Sequence, residues 1–236
     1  MFKKILLISI LSISTLFASS LSPINIDKMK ESQINEYKEG KEKISYKDMI
    51  AFLKASNDKN KMLILGVLYS KDSDKPDDYG YSIKADPLLA MKYILKSYEM
   101  GNKKALVILS GLILYNDNMA KLDKDLSKAK KYLIQAKKDN TENAQYMLGL
   151  VEILRGEYEE GLQEMIQAAN NGDSTAQLQV ALILQKGIYS QEKNKMVIQP
   201  ERKLAEYFLN KACHNDNKSE KVVEFCNSAM IQQVSK

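Results

Sequence analysis

The sequence predicts an all-α protein, an α/α solenoid of about four antiparallel helix pairs with terminal capping helices. Turn-forming residues are scarce, with 10 Gly and 4 Pro in 236 residues, which favours helices over a many-stranded β fold. Apolar residues make up 44% of the chain and charged residues 28%, the balance of a folded protein. After residue 57, a pattern of small and large residues at helical spacing recurs, which is typical of repeat architectures.

The first 20 residues have the composition of a secretory signal peptide. Two lysines precede an apolar run from Ile5 to Phe17, and Ala18 and Ser20 fit the −3 and −1 positions of a cleavage site. The run has 13 residues, whereas a membrane-spanning helix needs about 20. We therefore expect a bacterial protein that is exported to the periplasm or secreted. An uncleaved anchor is the alternative.

The remaining chain divides into a lead-in and a repeat domain. Residues 21–44 are charged and weakly patterned, which predicts a flexible lead-in. Residues 45–236 are predicted to form the repeat domain. Within it, 45–56 has the pattern of an isolated helix that caps the amino end, and 219–233 has that of a lone helix that closes the carboxyl end.

One helix of each pair carries a small residue, a larger residue three positions on, and a small residue four positions later. The four occurrences are Ala90–Tyr93–Ser97, Ala129–Tyr132–Ala136, Gly161–Glu164–Ala168 and Ala205–Phe208–Ala212. The other helix carries a large residue followed by a small one, at Leu65–Gly66, Leu109–Ser110, Leu148–Gly149 and Val180–Ala181. Small residues at crossing points let two helix backbones approach, and neighbouring pairs then stack into a continuous core.

Capping residues indicate where several helices begin. Asp86 precedes Pro87, which places an acceptor at the N-cap and proline at the first helical position. Asp125 and Glu201 occupy the equivalent place in later units. We expect a helix to begin after each of these three acidic residues.

Glycines and polar stretches indicate where the helices end. Gly101 and Gly172 fall where a helix should finish in a left-handed residue. Long polar connections are predicted at 70–85 and 186–199. By contrast, Arg155–Tyr158 is expected to join the helices of the third pair directly.

The segment 80–102 resembles the Sel-1-like repeat, a relative of the tetratricopeptide repeat. The residues that match the family's pattern are Gly80, Ile83, Asp86, Ala90, Tyr93, Ser97 and Gly101, with Ser82 in place of its second Gly and Leu89 in place of its usual Lys. Ala144, Leu148 and Gly149 match the pattern of the family's first helix. The resemblance extends over about 60–233 and implies a curved solenoid that holds peptides or other proteins.

The resemblance also implies that the first helix of each pair lines a concave face. Those helices are expected at about 61–69, 104–115, 143–154 and 175–185. Outward candidates on them are Tyr115, Gln145 and Gln177, whose polar or amphipathic side chains suit the grip of an extended peptide. The alternative is that these side chains are merely solvated.

The two cysteines, Cys213 and Cys226, form the only pair in the chain. An even count in an oxidising compartment favours one disulfide. Cys213 is predicted to lie at the end of the second helix of the fourth pair, and Cys226 early in the next helix. Cysteine-rich Sel-1-like proteins of bacteria place bridges at this junction between helices, although with a shorter spacing than this chain has. Two free thiols are the alternative. A zinc site is disfavoured because only His214 could join the cysteines.

The charge of the chain bounds its partners. The net charge of +5 falls to 5 − 2 = +3 once the two lysines of the signal peptide are removed, which is too small to indicate nucleic acid. The lysine-rich stretch 121–138 is a candidate membrane-surface patch. Its lysines are interrupted by Asp123 and Asp125, however, which favours a solvated face. No cofactor and no metal are expected.

An enzymatic interpretation rests on a further feature of the resemblance, since some cysteine-rich relatives are described as weak β-lactamases or penicillin-binding proteins. Ser-x-x-Lys tetrads occur at Ser56–Lys59, Ser127–Lys130 and Ser190–Lys193, about as often as chance predicts. Neither Ser-Asp-Asn nor Lys-Thr-Gly completes such a site. His214 has no nearby nucleophile in the sequence. We therefore expect no catalytic residue.

Three functions remain open from the sequence. The favoured one is an exported helical-repeat protein that binds a protein or peptide as a scaffold in the cell envelope. The alternatives are a weak hydrolase of the β-lactamase kind and a structural subunit that acts by assembly in the envelope.

Overall fold

The computed structural model describes residues 45–73, 76–77, 79–123 and 126–234. The predicted signal peptide (1–20), the predicted lead-in (21–44) and the expected N-cap Asp125 lie outside the described residues. The chain divides into two compact units, an amino-terminal unit that ends at Glu142 and a carboxyl-terminal unit that begins at Asn143.

The amino-terminal unit is helical throughout its described residues, apart from the connections. Its elements are α1 (Tyr46–Ala55), α2 (Lys59–Ser70), α3 (Pro87–Glu99), α4 (Ala105–Tyr115), a short 3₁₀ helix (Met119–Leu122) and α5 (Ser127–Lys138). Side-chain caps start the first three α-helices: Ser45, Asp58 and Asp86 each accept a backbone N–H of the following first turn. The predicted cap at Asp86 is thus confirmed, with Pro87 as the first helical residue.

The start of α5 is capped from further back in the chain. Leu126 directly precedes the helix with a left-handed backbone (φ 63°) and makes no side-chain cap. Instead, Asp123 Oδ2 accepts the backbone N–H groups of Lys128 at 2.7 Å and Ala129 at 3.0 Å. Asp123 is buried, so these bonds satisfy its carboxylate as well as the helix end.

The carboxyl-terminal unit adds a small hairpin to its helices. Its elements are α6 (Ala144–Leu154), α7 (Tyr158–Asn170), α8 (Ser174–Lys186), β1 (Ile188–Ser190), β2 (Lys195–Ile198), α9 (Arg202–Cys213) and α10 (Glu220–Val234). The direct link between α6 and α7 confirms the predicted short connection. Glu201 stands at the N-cap of α9, as predicted, but its side chain makes no capping bond.

Among the described elements, the helices pack as four consecutive pairs, α2 with α3, α4 with α5, α6 with α7, and α8 with α9. α1 packs on α2, and α10 packs on α8 and α9. The predicted fold class, all-α with helix pairs and capping helices, is confirmed.

The small residues at the predicted crossing points lie at the contacts within pairs. Ala90, Ala129 and Ala205 are buried, and the Ser110 hydroxyl donates to the carbonyl oxygen of Ala129 across the α4–α5 contact at 3.3 Å. Gly66 lies so close to α3 that a Cβ there would stand 2.9 Å from the carbonyl oxygen of Ala90. The crossing residues therefore set the distance between paired helices.

Polar contacts reinforce the packing of the amino-terminal unit. Within the first pair, the Ser97 hydroxyl of α3 donates to the carbonyl oxygen of Lys59 in α2 at 2.6 Å. Lys104, which precedes α4, pairs with Glu142, which follows α5, at 3.3 Å. The first contact therefore joins two paired helices, and the second joins the segments at the start and the end of the next pair.

Two predicted helix ends and one unpredicted hairpin complete the architecture. Gly101 (φ 90°) and Gly172 (φ 96°) adopt the left-handed conformation that was expected of them. The predicted polar connection 186–199 instead contains the antiparallel hairpin β1–β2, in which Ser190 pairs with Lys195. Strands of three and four residues are too short to show a period in the sequence.

Candidate functional site

The long connection between α2 and α3 is folded around one carboxylate. Asp77 accepts the backbone N–H groups of Tyr46 at 2.6 Å, and of Tyr79 and Tyr81 at 2.9 Å each. The bond from Tyr46 ties the connection to the start of α1, thirty-one residues away. Long connections without secondary structure are commonly functional when they are held in place.

Further backbone bonds fix both ends of this connection. The N–H of Ser73 donates to the carbonyl oxygen of Ile83 at 2.9 Å, and the N–H of Asp86 donates to that of Tyr69 at 2.8 Å. Ile83 is buried in the core of α1 and α2. The connection is therefore anchored by an apolar side chain as well as by hydrogen bonds.

The protonation state of Asp77 is coupled to this arrangement. Desolvation raises the pKa of its carboxyl group, but the N–H donors of Tyr46, Tyr81 and Tyr79, together with the Ser45 hydroxyl, outweigh it and lower the pKa below 3.8. The carboxylate is therefore ionised at neutral pH, and its contribution to stability would be lost only as the pH falls through the lowered pKa.

The connection presents tyrosines to solvent. Tyr79 is 62% exposed and Tyr81 is 42% exposed. Behind them, the rings of Tyr69 and Tyr93 stack with centroids 5.9 Å apart. Lys54 Nζ lies 5.4 Å from the centroid of the Tyr69 ring. We call these five residues the tyrosine surface.

Lys54 lies beside phenol groups of the tyrosine surface. A hydrogen bond with the Tyr69 hydroxyl raises the pKa of Lys54 against the effect of desolvation, and interactions with Tyr69, Tyr93 and Tyr81 act in the same direction. The amine therefore stays protonated among phenol groups. Such a surface offers broad apolar contact, hydroxyl hydrogen bonds and a positive charge, which suits recognition of a protein segment.

The predicted binding residue Tyr115 ends α4 and is half-buried. Desolvation raises the pKa of its phenol well above the ordinary value of 10.0. Tyr115 lies in the amino-terminal unit, whereas Gln145 and Gln177 lie in the carboxyl-terminal unit.

The two glutamines act within their own unit. Gln145 Nε2 donates to Gln167 Oε1 at 2.7 Å and to Glu164 at 3.2 Å, which fastens α6 to α7. Gln177 is only 3% exposed. Its Nε2 donates to the carbonyl oxygen of Ala169 at 2.9 Å. The prediction that Gln177 points outward is therefore wrong, because its amide is used to join α8 to the end of α7.

The structure brings Cys213 and Cys226 together in a disulfide, with their Cα atoms 5.6 Å apart. Cys226 belongs to an apolar cluster with Leu178, Ala212 and Val222, so the bridge lies where α8, α9 and α10 meet. His214 is exposed, and its Nδ1 lies 2.9 Å from the carbonyl oxygen of Asn210. Its position at the end of α9 explains this contact.

In the tetrad at Ser190, both the serine and the lysine make contacts beyond the tetrad. The Ser190 hydroxyl accepts the backbone N–H of Lys193 at 3.2 Å and lies 3.4 Å from the Tyr158 hydroxyl. Lys193 Nζ lies over the Tyr158 ring, 5.3 Å from its centroid. Ser190 is 1% exposed. Its hydroxyl therefore closes the hairpin turn in a position that a substrate does not reach.

Within the described ranges, no group of three or more His, Cys, Asp and Glu residues is placed to hold a metal ion. None of the helices in this part of the chain is both long and apolar enough to cross a bilayer.

The chain is similar to a solved structure. No family model matches the sequence, and none of the curated proteins matches it. The crystal structure of a Sel1 repeat protein from Oxalobacter formigenes is 17% identical, with a TM-score of 0.47, over 89% of this chain and 68% of that chain.

Proposed function

We propose that this protein is exported and binds a protein or peptide partner as a scaffold in the cell envelope. Three features support the proposal: a signal-like amino terminus, a cysteine pair at disulfide distance, and helix pairs of the kind that hold other proteins. Within the described residues, the tyrosine surface is the feature best suited to make the contact.

The single observation that carries the binding role is that Tyr79 and Tyr81 have exposed side chains on a backbone that is fixed by hydrogen bonds. An exposed tyrosine on a mobile loop would lose conformational freedom on binding, which weakens the complex. Here the backbone N–H groups of both residues are fixed by Asp77. The aromatic rings are therefore presented from a pre-organised backbone, as at the energetic centres of protein interfaces.

The chemistry of the tyrosine surface indicates the partner. Stacked tyrosine rings favour apolar, aromatic or proline-rich segments, and Lys54 favours a carboxylate beside them. We therefore expect an extended segment that combines such an apolar residue with an acidic one. Tyr115 and the exposed part of Gln145 remain proposed contacts of the first-helix face.

The test is site-specific photo-crosslinking in cells. A photoreactive residue at position 79 or 81 should capture a distinct protein. Position 207 is the control, where the same photoreactive residue should not capture that protein. Tyr207 is comparably exposed (50%), but it lies on α9 in the carboxyl-terminal unit. With the partner identified, Tyr79→Ala and Tyr81→Ala should each weaken binding about tenfold or more, as isothermal titration would show.

Asp77→Ala provides a second control. It removes the acceptor of three backbone N–H groups while leaving both tyrosines in place. We expect it to lower the crosslinking yield at position 79. Equal capture at positions 79 and 207, or a yield that Asp77→Ala leaves unchanged, would refute the tyrosine surface as the binding site.

Export has its own prediction. If residues 1–20 are removed, amino-terminal sequencing of the protein recovered from its native compartment should begin near Leu21. Ser20→Lys, which places a large charged residue at the cleavage position, should retain the longer chain. Recovery of the wild-type chain from the cytoplasm with its first residues intact would contradict export without bearing on the tyrosine surface.

A further inference from the structure

A second surface lies on the outer helices of the amino-terminal unit. α3 and α5 are the second helices of their pairs and run side by side. The Tyr98 hydroxyl donates to Asp139 Oδ2 at 2.9 Å near their carboxyl ends. Toward their amino ends, the Tyr132 hydroxyl lies 4.0 Å from Met91 Sδ. These contacts place the outward stripes of the two helices on one face.

The exposed residues of the two helices fall at helical spacing. On α3 they are Leu88, Lys92, Lys96 and Glu99, and on α5 they are Ser127, Lys128, Lys131, Ile134, Gln135 and Lys138. We call this set the basic face. Five of its members are lysines, and Glu99 is its single acidic residue. The lysines of α5 look dispersed in the sequence, but the exposed ones lie on the same face as those of α3.

Together, α3 and α5 expose five lysines against one acidic residue. The second helix of the third pair, α7, exposes Glu159, Glu160, Gln163, Gln167 and Asn170, without a lysine, and that of the fourth pair, α9, exposes Arg202 and Lys203 with Glu206. Solvation of an outer helix needs only polar residues of either sign. A concentration of one sign on α3 and α5 therefore requires a more specific explanation.

Two aliphatic side chains protrude from the basic face. Leu88 is 65% exposed and Ile134 is 39% exposed. Between the two helices, Met91 contacts Tyr132 and Tyr98 bonds to Asp139. The face therefore offers charge and two projecting apolar groups.

We propose that the basic face binds the surface of an anionic lipid bilayer. The lysine amines would contact lipid phosphates, and Leu88 and Ile134 would enter the boundary between headgroups and acyl chains. An acidic protein would satisfy the lysines, but it would need a groove or a matching pocket to gain from the two projecting aliphatic groups. A bilayer accepts them without one.

This inference goes beyond the proposed function. The tyrosine surface would hold a protein partner, and the basic face would place the scaffold on a membrane. The two proposals are separable, because the first depends on Tyr79 and Tyr81 and the second on residues of α3 and α5.

The test is co-sedimentation of the full chain with vesicles of phosphatidylcholine, with or without phosphatidylglycerol. We expect binding that requires phosphatidylglycerol and weakens as salt is added. Lys92→Gln/Lys131→Gln should lower the affinity about fivefold for each lysine. Leu88→Ser should lower it further without a change in charge. Since every variant keeps the same amino terminus, any binding through residues 1–20 is common to all of them.

The matched control is Lys186→Gln/Lys195→Gln, which removes two exposed lysines of the carboxyl-terminal unit. It should leave vesicle binding within about twofold. The proposal is overturned if phosphatidylglycerol has no effect, or if this control weakens binding as much as Lys92→Gln/Lys131→Gln does. It is also overturned if soluble polyglutamate competes fully and Leu88→Ser is without effect, since the face would then recognise an acidic protein.

Discussion

Reduction of the disulfide between Cys213 and Cys226 is expected to loosen α10, residues 220–234, before any other described part of the chain. The bridge closes a loop with a sequence separation of 13. Loop-closure entropy for a loop of this length corresponds to about 3 kcal/mol. That is a large share of a typical net stability of about 5–15 kcal/mol.

The position of the bridge explains why the effect should be local. α10 is the last described helix, and its described buried side chains in this region are Val222 and Cys226. The described side chains of 220–228 therefore bury little apolar surface, and segments of that kind open more readily than core helices. The bond between Cys213 and Cys226 fastens α10 to the last residue of α9.

Hydrogen bonds of the loop between α9 and α10 limit how much of the chain should loosen on reduction. Asn215 Nδ2 donates to the carbonyl oxygen of Gly172 at 2.9 Å and lies 3.0 Å from Gln177 Oε1. The backbone N–H of Ser219 donates to Ser174 Oγ at 3.2 Å. These bonds are polar, and they hold the loop at the start of α8. After reduction, we expect α10 to open while the loop stays near the start of α8.

Hydrogen exchange with and without reductant measures this prediction. Amides of 220–234 should exchange faster after reduction, and those of α2 to α5 should not change. The double variant Cys213→Ser/Cys226→Ser is the control. Its amides at 220–234 should exchange fast both with and without reductant. Two free thiols in unfolded, unreduced protein from the native compartment would contradict the bridge. Unchanged exchange in 220–234 would contradict its capping role.

Much of this fold follows from local chemistry that a single sequence displays. Side-chain acceptors before α3 and glycines after α3 and α7 act on neighbouring backbone groups, so they mark helix ends without tertiary information. The small residues at crossings are visible because they recur with each pair. The helix pairs could therefore be predicted, although the hairpin β1–β2 could not.

The candidate site depends on contacts between distant residues. The role of Asp77 follows from its bond with the backbone of Tyr46, and nothing in the local sequence singles out that partner. The only local signal was a pair of tyrosines in a long polar connection. Gln145 and Gln177 show the same limit. They hold equivalent places in the repeat, and each accepts a bond from a later asparagine, Asn171 and Asn215, but only Gln177 is buried.

The crossing of α6 and α7 is where a single methyl group should have a large effect. Both crossing residues are glycines there, Gly149 on α6 and Gly161 on α7. A Cβ at Gly149 would stand 2.6 Å from Met165 Cγ and would also clash with the carbonyl oxygen of Gly161. A Cβ at Gly161 would stand 2.8 Å from both Cγ1 and the backbone nitrogen of Ile153.

Gly149→Ala and Gly161→Ala should therefore each destabilise the protein by about 1–3 kcal/mol, the usual cost of overpacking. The sign of this change in stability is informative, because alanine in place of glycine inside a helix otherwise stabilises the helix by about 1 kcal/mol. Gln163→Ala, at an exposed position of α7, serves as the control and should change stability by less than about 0.5 kcal/mol. Urea unfolding measures all three.

The double variant gives the sharper result. In the neighbouring pairs, the equivalent positions hold Ser110 with Ala129 and Ala181 with Ala205, so this kind of crossing accommodates two Cβ atoms. Once one alanine has separated α6 from α7, the second should therefore cost less than it does alone. We expect Gly149→Ala/Gly161→Ala to be less destabilised than the sum of the single variants. Strict additivity, or stabilisation by either alanine, would show that the glycines do not set the distance between α6 and α7.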